Sequence, residues 1–244
     1  MSLSIDGVSV DATIDRTART VTAIVPPVDL ARVQPAIGLS PGATLVGVPA
    51  FADGVPTSVA VSPTFGRPVN WSVTIHVSPG ASFLFDGVRI VLTAGYTDSS
   101  DPEQAAAWGH GAPGGSWSDN GFEFWIYEMI DDLGSEDQTS GICLWVTLPE
   151  IAVGEYSIDD DDAVTLGYWD DTLSVTASEL TVIVATSPSS VGEYMTGSFQ
   201  ASLSGKGTKG DKTKEGTEGG GPPAHTLSDG FFKVVRVADN IWSY

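Results

Sequence analysis

Gly121-Phe-Glu-Phe-Trp-Ile-Tyr-Glu-Met129, a polar stretch, and then Ile142-Cys-Leu-Trp-Val-Thr-Leu148 decide how this chain folds. Both runs alternate with period two, the signature of a half-buried strand, in which successive side chains point to opposite faces. Phe122, Phe124 and Ile126 share one side; Glu123, Trp125 and Tyr127 share the other. In the second run Ile142, Leu144, Val146 and Leu148 oppose Cys143, Trp145 and Thr147. Paired as a hairpin, the two runs give one face of aliphatic and aromatic core and one mixed polar and aromatic face.

The same logic extends outward. The chain of 244 residues is 41% hydrophobic but only 17% charged, and Gly, Pro, Ser, Thr and Val are abundant. That mixture favours strands and turns over helices. The chain is long enough to bury a core without disulfides or metals, and with Cys143 as its single cysteine it can form no intrachain disulfide. The fold class expected is all-β: an N-terminal Ig-like sandwich over residues 4–78, then a larger antiparallel, jelly-roll-like β-sandwich over 80–238. Pro79-Gly80 marks the boundary, and the Gly/Lys/Thr/Glu tract at 204–224 reads as a low-complexity loop.

Within the first unit, Ala12–Asp15 and Arg19–Val25 read as two strands around a polar turn. Val28–Val33 reads as a helical turn opened by Asp29, and Val69–Val77 as the clearest strand. In the second unit Val88–Thr93 reads as the first strand and Thr97–Asn120 as a long loop. Leu173–Ala177, Leu180–Ala185, Tyr194–Leu203 and Phe231–Val237 follow as strands, with Asp229-Gly230 as a turn.

Net charge is −20, from 31 acidic and 11 basic residues. Phosphate binding needs clustered Lys and Arg, so nucleic acid is not an expected partner, and neither is an anionic membrane surface. No run of about 20 apolar residues is present, so no transmembrane segment is expected. Met1-Ser-Leu3 is not an export signal; the expectation is a native precursor from which a signal, and a possible lipid anchor, have been removed.

The motif Ile14-Asp15, Thr20–Pro26, Asp29-Leu30, Pro35–Ile37, Ser40–Thr44 and Pro68–Thr74 resembles an Ig-like module, a domain of unknown function, of Bacteroidota surface lipoproteins. Pro63–Arg67 departs from that pattern, which has an Asp-Phe-Ser-like step there. Gly192–Leu203 with Ser228–Val234 is similar to the C-terminal half of a β-sandwich group in the same lipoproteins. The resemblance implies an exported protein, extracellular or on the outer-membrane surface.

Two surfaces are candidate sites. Trp125, Tyr127 and Trp145 could form an aromatic platform for sugar rings, with Glu123, Trp108 and Trp117 at its rim; the plainer alternative is that these side chains are buried against the first domain or the long loop. Asp159, Asp160, Asp161 and Asp162, with Asp170 and Asp171, could offer hard oxygens to calcium. Their spacing fits no EF-hand loop, and the plainer alternative is a solvated acidic turn. No other cofactor is expected. His76, His110 and His225 are far apart and lack zinc spacing. No Gly-x-Ser-x-Gly is present, and Glu123 and Glu128 fall on opposite strand faces, so no catalytic residue is nominated. The reading is a non-enzymatic adhesion or structural protein with protein partners or copies of itself. The rival is a carbohydrate-binding component of a glycan-uptake system.

Overall fold

The computed structural model describes residues 2–5, 8–93, 107–111, 122–130, 140–150, 152–158, 164–170, 173–204 and 225–236. The chain divides into two compact units, Met1–Ser78 and Pro79–Tyr244. The described residues are all-β, and none lies in a helix long and apolar enough to cross a membrane.

The first unit is an Ig-like sandwich of two sheets. Strands β1 (Ser2–Ile5), β2 (Val8–Val10) and β5 (Ala36–Gly38) form the smaller one, in the order β2-β1-β5. The larger, in the order β3-β4-β8-β7-β6, comprises β3 (Ala12–Asp15), β4 (Thr20–Val25), β6 (Thr44–Val46), β7 (Thr57–Ser62) and β8 (Val69–Val77). Alternation puts Val21, Ala23, Val25, Val59, Val61, Val73, Ile75 and Val77 into its core, where Leu3 and Ile5 are also buried. The expected turn between β3 and β4 forms because Asp15 Oδ1 accepts the N–H groups of Thr17 and Ala18, at 2.8 and 2.9 Å. The helical turn also forms: Arg32 and Val33 both donate to the Asp29 carbonyl. Val69 and Trp71 are only partly buried, so the strong alternation of β8 reaches full burial from Val73 onward.

The second unit is the jelly-roll-like sandwich. Its strands are β9 (Gly80–Phe85), β10 (Val88–Thr93), β11 (Ala107–Gly111), β12 (Phe122–Ile130), β13 (Ser140–Leu148), β14 (Gly154–Ser157), β15 (Thr165–Trp169), β16 (Ser174–Thr186), β17 (Tyr194–Ser204) and β18 (His225–Arg236). Neighbour pairings run β18-β11-β12-β13-β15-β16-β17 and return to β18, so the sheet curls onto itself. Strands β9 and β10 extend it beside β18, and β14 extends it beside β16.

The hairpin behaves as its alternation requires. Strands β12 and β13 pair antiparallel from Phe122↔Leu148 to Ile130↔Ser140. Phe122, Phe124, Ile126, Leu144, Val146 and Leu148 are fully buried. They meet Phe83, Leu92, Val182, Met195, Leu203 and Phe232 in one continuous core. The Phe124 and Phe232 rings stack across it with centroids 4.7 Å apart.

Four readings are revised. Strand β9 precedes the expected first strand; its residues from Gly80 to Phe83 are buried on both faces, so it shows no alternation. Strand β11 lies inside the stretch read as a long loop and pairs antiparallel with β12 and parallel with β18. The two strands read around Leu173–Ala185 are one strand, β16, with a bulge between Ala177 and Glu179. There the Ser178 hydroxyl donates to the Ser202 carbonyl, and Glu179 accepts from the Ser202 hydroxyl. Asp229-Gly230 is not a strand-ending turn but an irregularity inside β18, which Asp229 accommodates at φ 49°. The tract 205–224 lies outside the described residues.

Candidate functional site

Directly opposed residues in neighbouring strands share a sheet face. Trp108 opposes Trp125, Trp125 opposes Trp145, and Trp145 opposes Gly167. Three tryptophans therefore occupy one row across β11, β12 and β13, at positions alternating with the buried Phe124, Ile126, Leu144 and Val146. His110, Glu123, Thr147 and Thr165 form the row on one side; Tyr127, Cys143 and Trp169 form the row on the other. Trp108, His110, Glu123, Trp125, Tyr127 and Trp169 enter by register, their side chains lying outside the described residues, as does Trp117 altogether.

Trp145 is described in full, and its geometry explains the glycine beside it. The indole benzo ring lies over Gly167 so closely that a Cβ there would collide with it. Glycine lets the ring lie down across β15, as in the aromatic rescue of a bare strand position. Trp145 is half-buried. A ring in that posture lies against β15.

Cys143, in the next row, is half-buried, and burial pushes its thiol up to about 11. The thiolate is the reactive form, so at pH 8 its reaction with a small disulfide reagent is expected to be on the order of a hundredfold slower than that of a free cysteine. A rate typical of a free thiol at that pH would contradict the burial. The residue is therefore a poor nucleophile at neutral pH.

Of the acidic candidates, only Asp170 is described. Its Oδ1 accepts the Leu173 N–H at 2.8 Å and its Oδ2 accepts the Tyr168 hydroxyl at 3.0 Å. Burial, helped by that bond, holds the Tyr168 phenol well above its usual range. Asp170 thus has a structural task at the end of β15. Asp159, Asp160, Asp161, Asp162 and Asp171 lie outside the described residues. Among the described residues no group of three or more His, Cys, Asp or Glu side chains is placed to hold a metal.

One polar constellation was not foreseen. His225 Nδ1 lies 2.7 Å from Asp86 Oδ2, and Asp86 Oδ1 accepts the Thr226 N–H at 2.8 Å. Asp86 and Gly87 form the β9–β10 turn, both at positive φ, so the turn is tied to the first residues of β18. The His225 ring also stacks on Phe85, centroids 5.1 Å apart, and Phe85 packs on Tyr168 at 4.7 Å. The hydrogen bonds from His225 and Thr226 hold the Asp86 carboxyl below the usual carboxylate range. A depressed folded-state pKa stabilises above the unfolded value of about 4, and this contribution fades as pH falls through the folded one. Asp86→Asn tolerates the same φ and keeps an acceptor for Thr226. It is expected to cost about 0.5–1 kcal/mol at pH 6, discounted for solvent screening, with the difference from wild type shrinking below about pH 4. Urea midpoints at both pH values would check this; a pH-independent difference would contradict it.

Sequence reasoning missed Trp169, Gly167 and the His225–Asp86 pair. The first two could have been found from Thr165-Leu-Gly-Tyr-Trp169 alternating as a strand, with Leu166 and Tyr168 buried. The third depends on residues 139 apart in sequence. Compared with known proteins, the chain matches no family model, no curated protein and no solved structure.

Proposed function

We propose that this is a non-enzymatic, exported adhesion protein of the cell envelope, and that it binds carbohydrate on the outer face of β11, β12, β13 and β15. The observation that carries the reading is the tryptophan row, ending in the Trp145 indole laid over Gly167. A ring lying flat is suited to the C–H faces of sugars, because the negative π face attracts the weakly positive hydrogens. The resemblance to Bacteroidota surface lipoproteins supports an envelope location, with a lipid anchor in the precursor.

Affinity electrophoresis through gels containing soluble polysaccharides, with and without calcium, tests this. At least one neutral polysaccharide is expected to retard the wild-type chain, and Trp145→Ala is expected to lose the retardation. Migration unchanged by every glycan would overturn the proposal. A requirement for calcium would bring Asp159–Asp162 and Asp171 back as ligands.

One observation favours a second reading, assembly with further copies. Strand β10 pairs only with β9 among the described residues, leaving its other edge open, and Val88 and Val91 on it are 67% and 37% exposed. Open apolar edges recruit other strands. A purely monomeric species in light scattering at high concentration would remove this reading.

A further inference from the structure

We infer that the first unit pairs with a second copy of this chain through the outer edge of β6, antiparallel and about a two-fold axis at Leu45. The inference rests on the assembly reading above and names its surface, which lies on β6 and not on β10.

The five-stranded sheet of the first unit has two edges, β3 and β6. Strand β3 is guarded by charge: it ends in Asp15 and is flanked by Asp11 and Arg16. Strand β6 pairs with β7 on one side and with no other strand among the described residues. It has no such guard, for the chain from Val33 to Ala52 contains no Asp, Glu, Lys or Arg. An edge without charges is a template for another strand. Side chains that face water there are apolar: Val46 is 55% exposed, and Val48, just beyond the strand, is 87% exposed.

The two ends of β6 complement each other. A Cβ on Gly42 would strike the Thr64 side chain, so the bend at Thr64 and Phe65 sits beside the entry to the strand. Phe65 is 90% exposed, the most exposed large apolar side chain among the described residues. Val48 marks the opposite end. A strand laid antiparallel on its own copy about Leu45 sets Thr44 against Val46 of that copy, on the same sheet face. Each exit, at Gly47 and Val48, then meets the other copy's entry, at Gly42 and Phe65. The two-fold axis makes this exchange twice, which is the self-complementarity that a closed dimer requires.

Charge chooses this edge over β10. Residues 1–78 hold five acidic and four basic residues, so the first unit carries −1 of the net −20 and the second unit −19. A contact through β10 sets two strongly acidic units against each other, and like-charge repulsion opposes it. A contact through β6 is made between units that are nearly neutral. The absence of charge also disfavours a strongly charged foreign strand as the occupant, because nothing on this edge would pair with it.

Sedimentation velocity of the intact chain tests the assignment, at physiological salt and up to about 1 mM, because a contact this short is weak. A reversible monomer–dimer equilibrium is expected. Val46→Lys places like charges on diagonal neighbours across the axis and should weaken the dimer at least about tenfold. Phe65→Ala, at a side chain that supports nothing within its own unit, should weaken it as well. Val91→Lys on β10 should leave it unchanged, and circular dichroism should show all three variants folded. A dimer indifferent to Val46→Lys and Phe65→Ala overturns this inference, and if Val91→Lys abolishes that dimer, assembly through β10 stands. A monomer at every concentration overturns both.

Discussion

Replacing Phe232 by alanine is expected to lower the stability of the second unit by about 3–5 kcal/mol, the usual cost of emptying a buried aromatic site. Phe232 is fully buried, stacks on Phe124 at 4.7 Å and lies 6.5 Å from Phe199. It is where β18 meets the β12–β13 hairpin across the core. Its neighbour Phe231 is the same residue type on the other face of β18 and is only partly buried. Phe231→Ala should therefore cost clearly less. Urea unfolding of both variants provides the comparison, and equal losses would show that the register assigned to β18 is wrong.

The second large effect is expected from a single added methyl. Gly197 faces Phe232 in register, and a Cβ there would collide with the Ile183 carbonyl oxygen as well as the Phe232 ring. Backbone cannot retreat as a flexible side chain can, so Gly197→Ala should cost about 1–3 kcal/mol from overpacking. Because the glycine and the ring share one space, the two sites should not act independently. Combining Gly197→Ala with Phe232→Leu is expected to cost less than the sum of the single changes, by at least about 0.5 kcal/mol. Strict additivity would mean that the ring does not fill the space above the glycine.

The same device recurs. Gly230 faces Phe199, and Gly167 faces Trp145, each so closely that a side chain on the glycine would strike the ring. None of these pairs is visible in the sequence, because a glycine inside a strand pattern reads first as a turn or a weak point. Asp229-Gly230 was read as a turn for this reason, although the strand continues through it.

What was legible follows from periodicity. The β12–β13 hairpin could be read because one face of each strand is core and the other is not, so hydrophobicity alternates. The strand from Gly80 to Phe85 could not, because burial on both sides erases the alternation. Strand β11 was hidden by its two glycines and its short length. The tryptophans of the candidate site were legible as residue types on one strand face. Their alignment into a row was not, because it depends on which residue of β11 and β15 opposes which residue of the hairpin.

The most direct measurement is two-dimensional NMR of the indole N–H signals of the seven tryptophans during titration with a soluble fragment of a neutral polysaccharide. Binding to the row predicts that the signals of Trp108, Trp125 and Trp145 shift together and saturably, while Trp71, on β8 of the first unit, stays in place. A spectrum in which those three signals do not move, or in which Trp71 alone responds, would contradict the account.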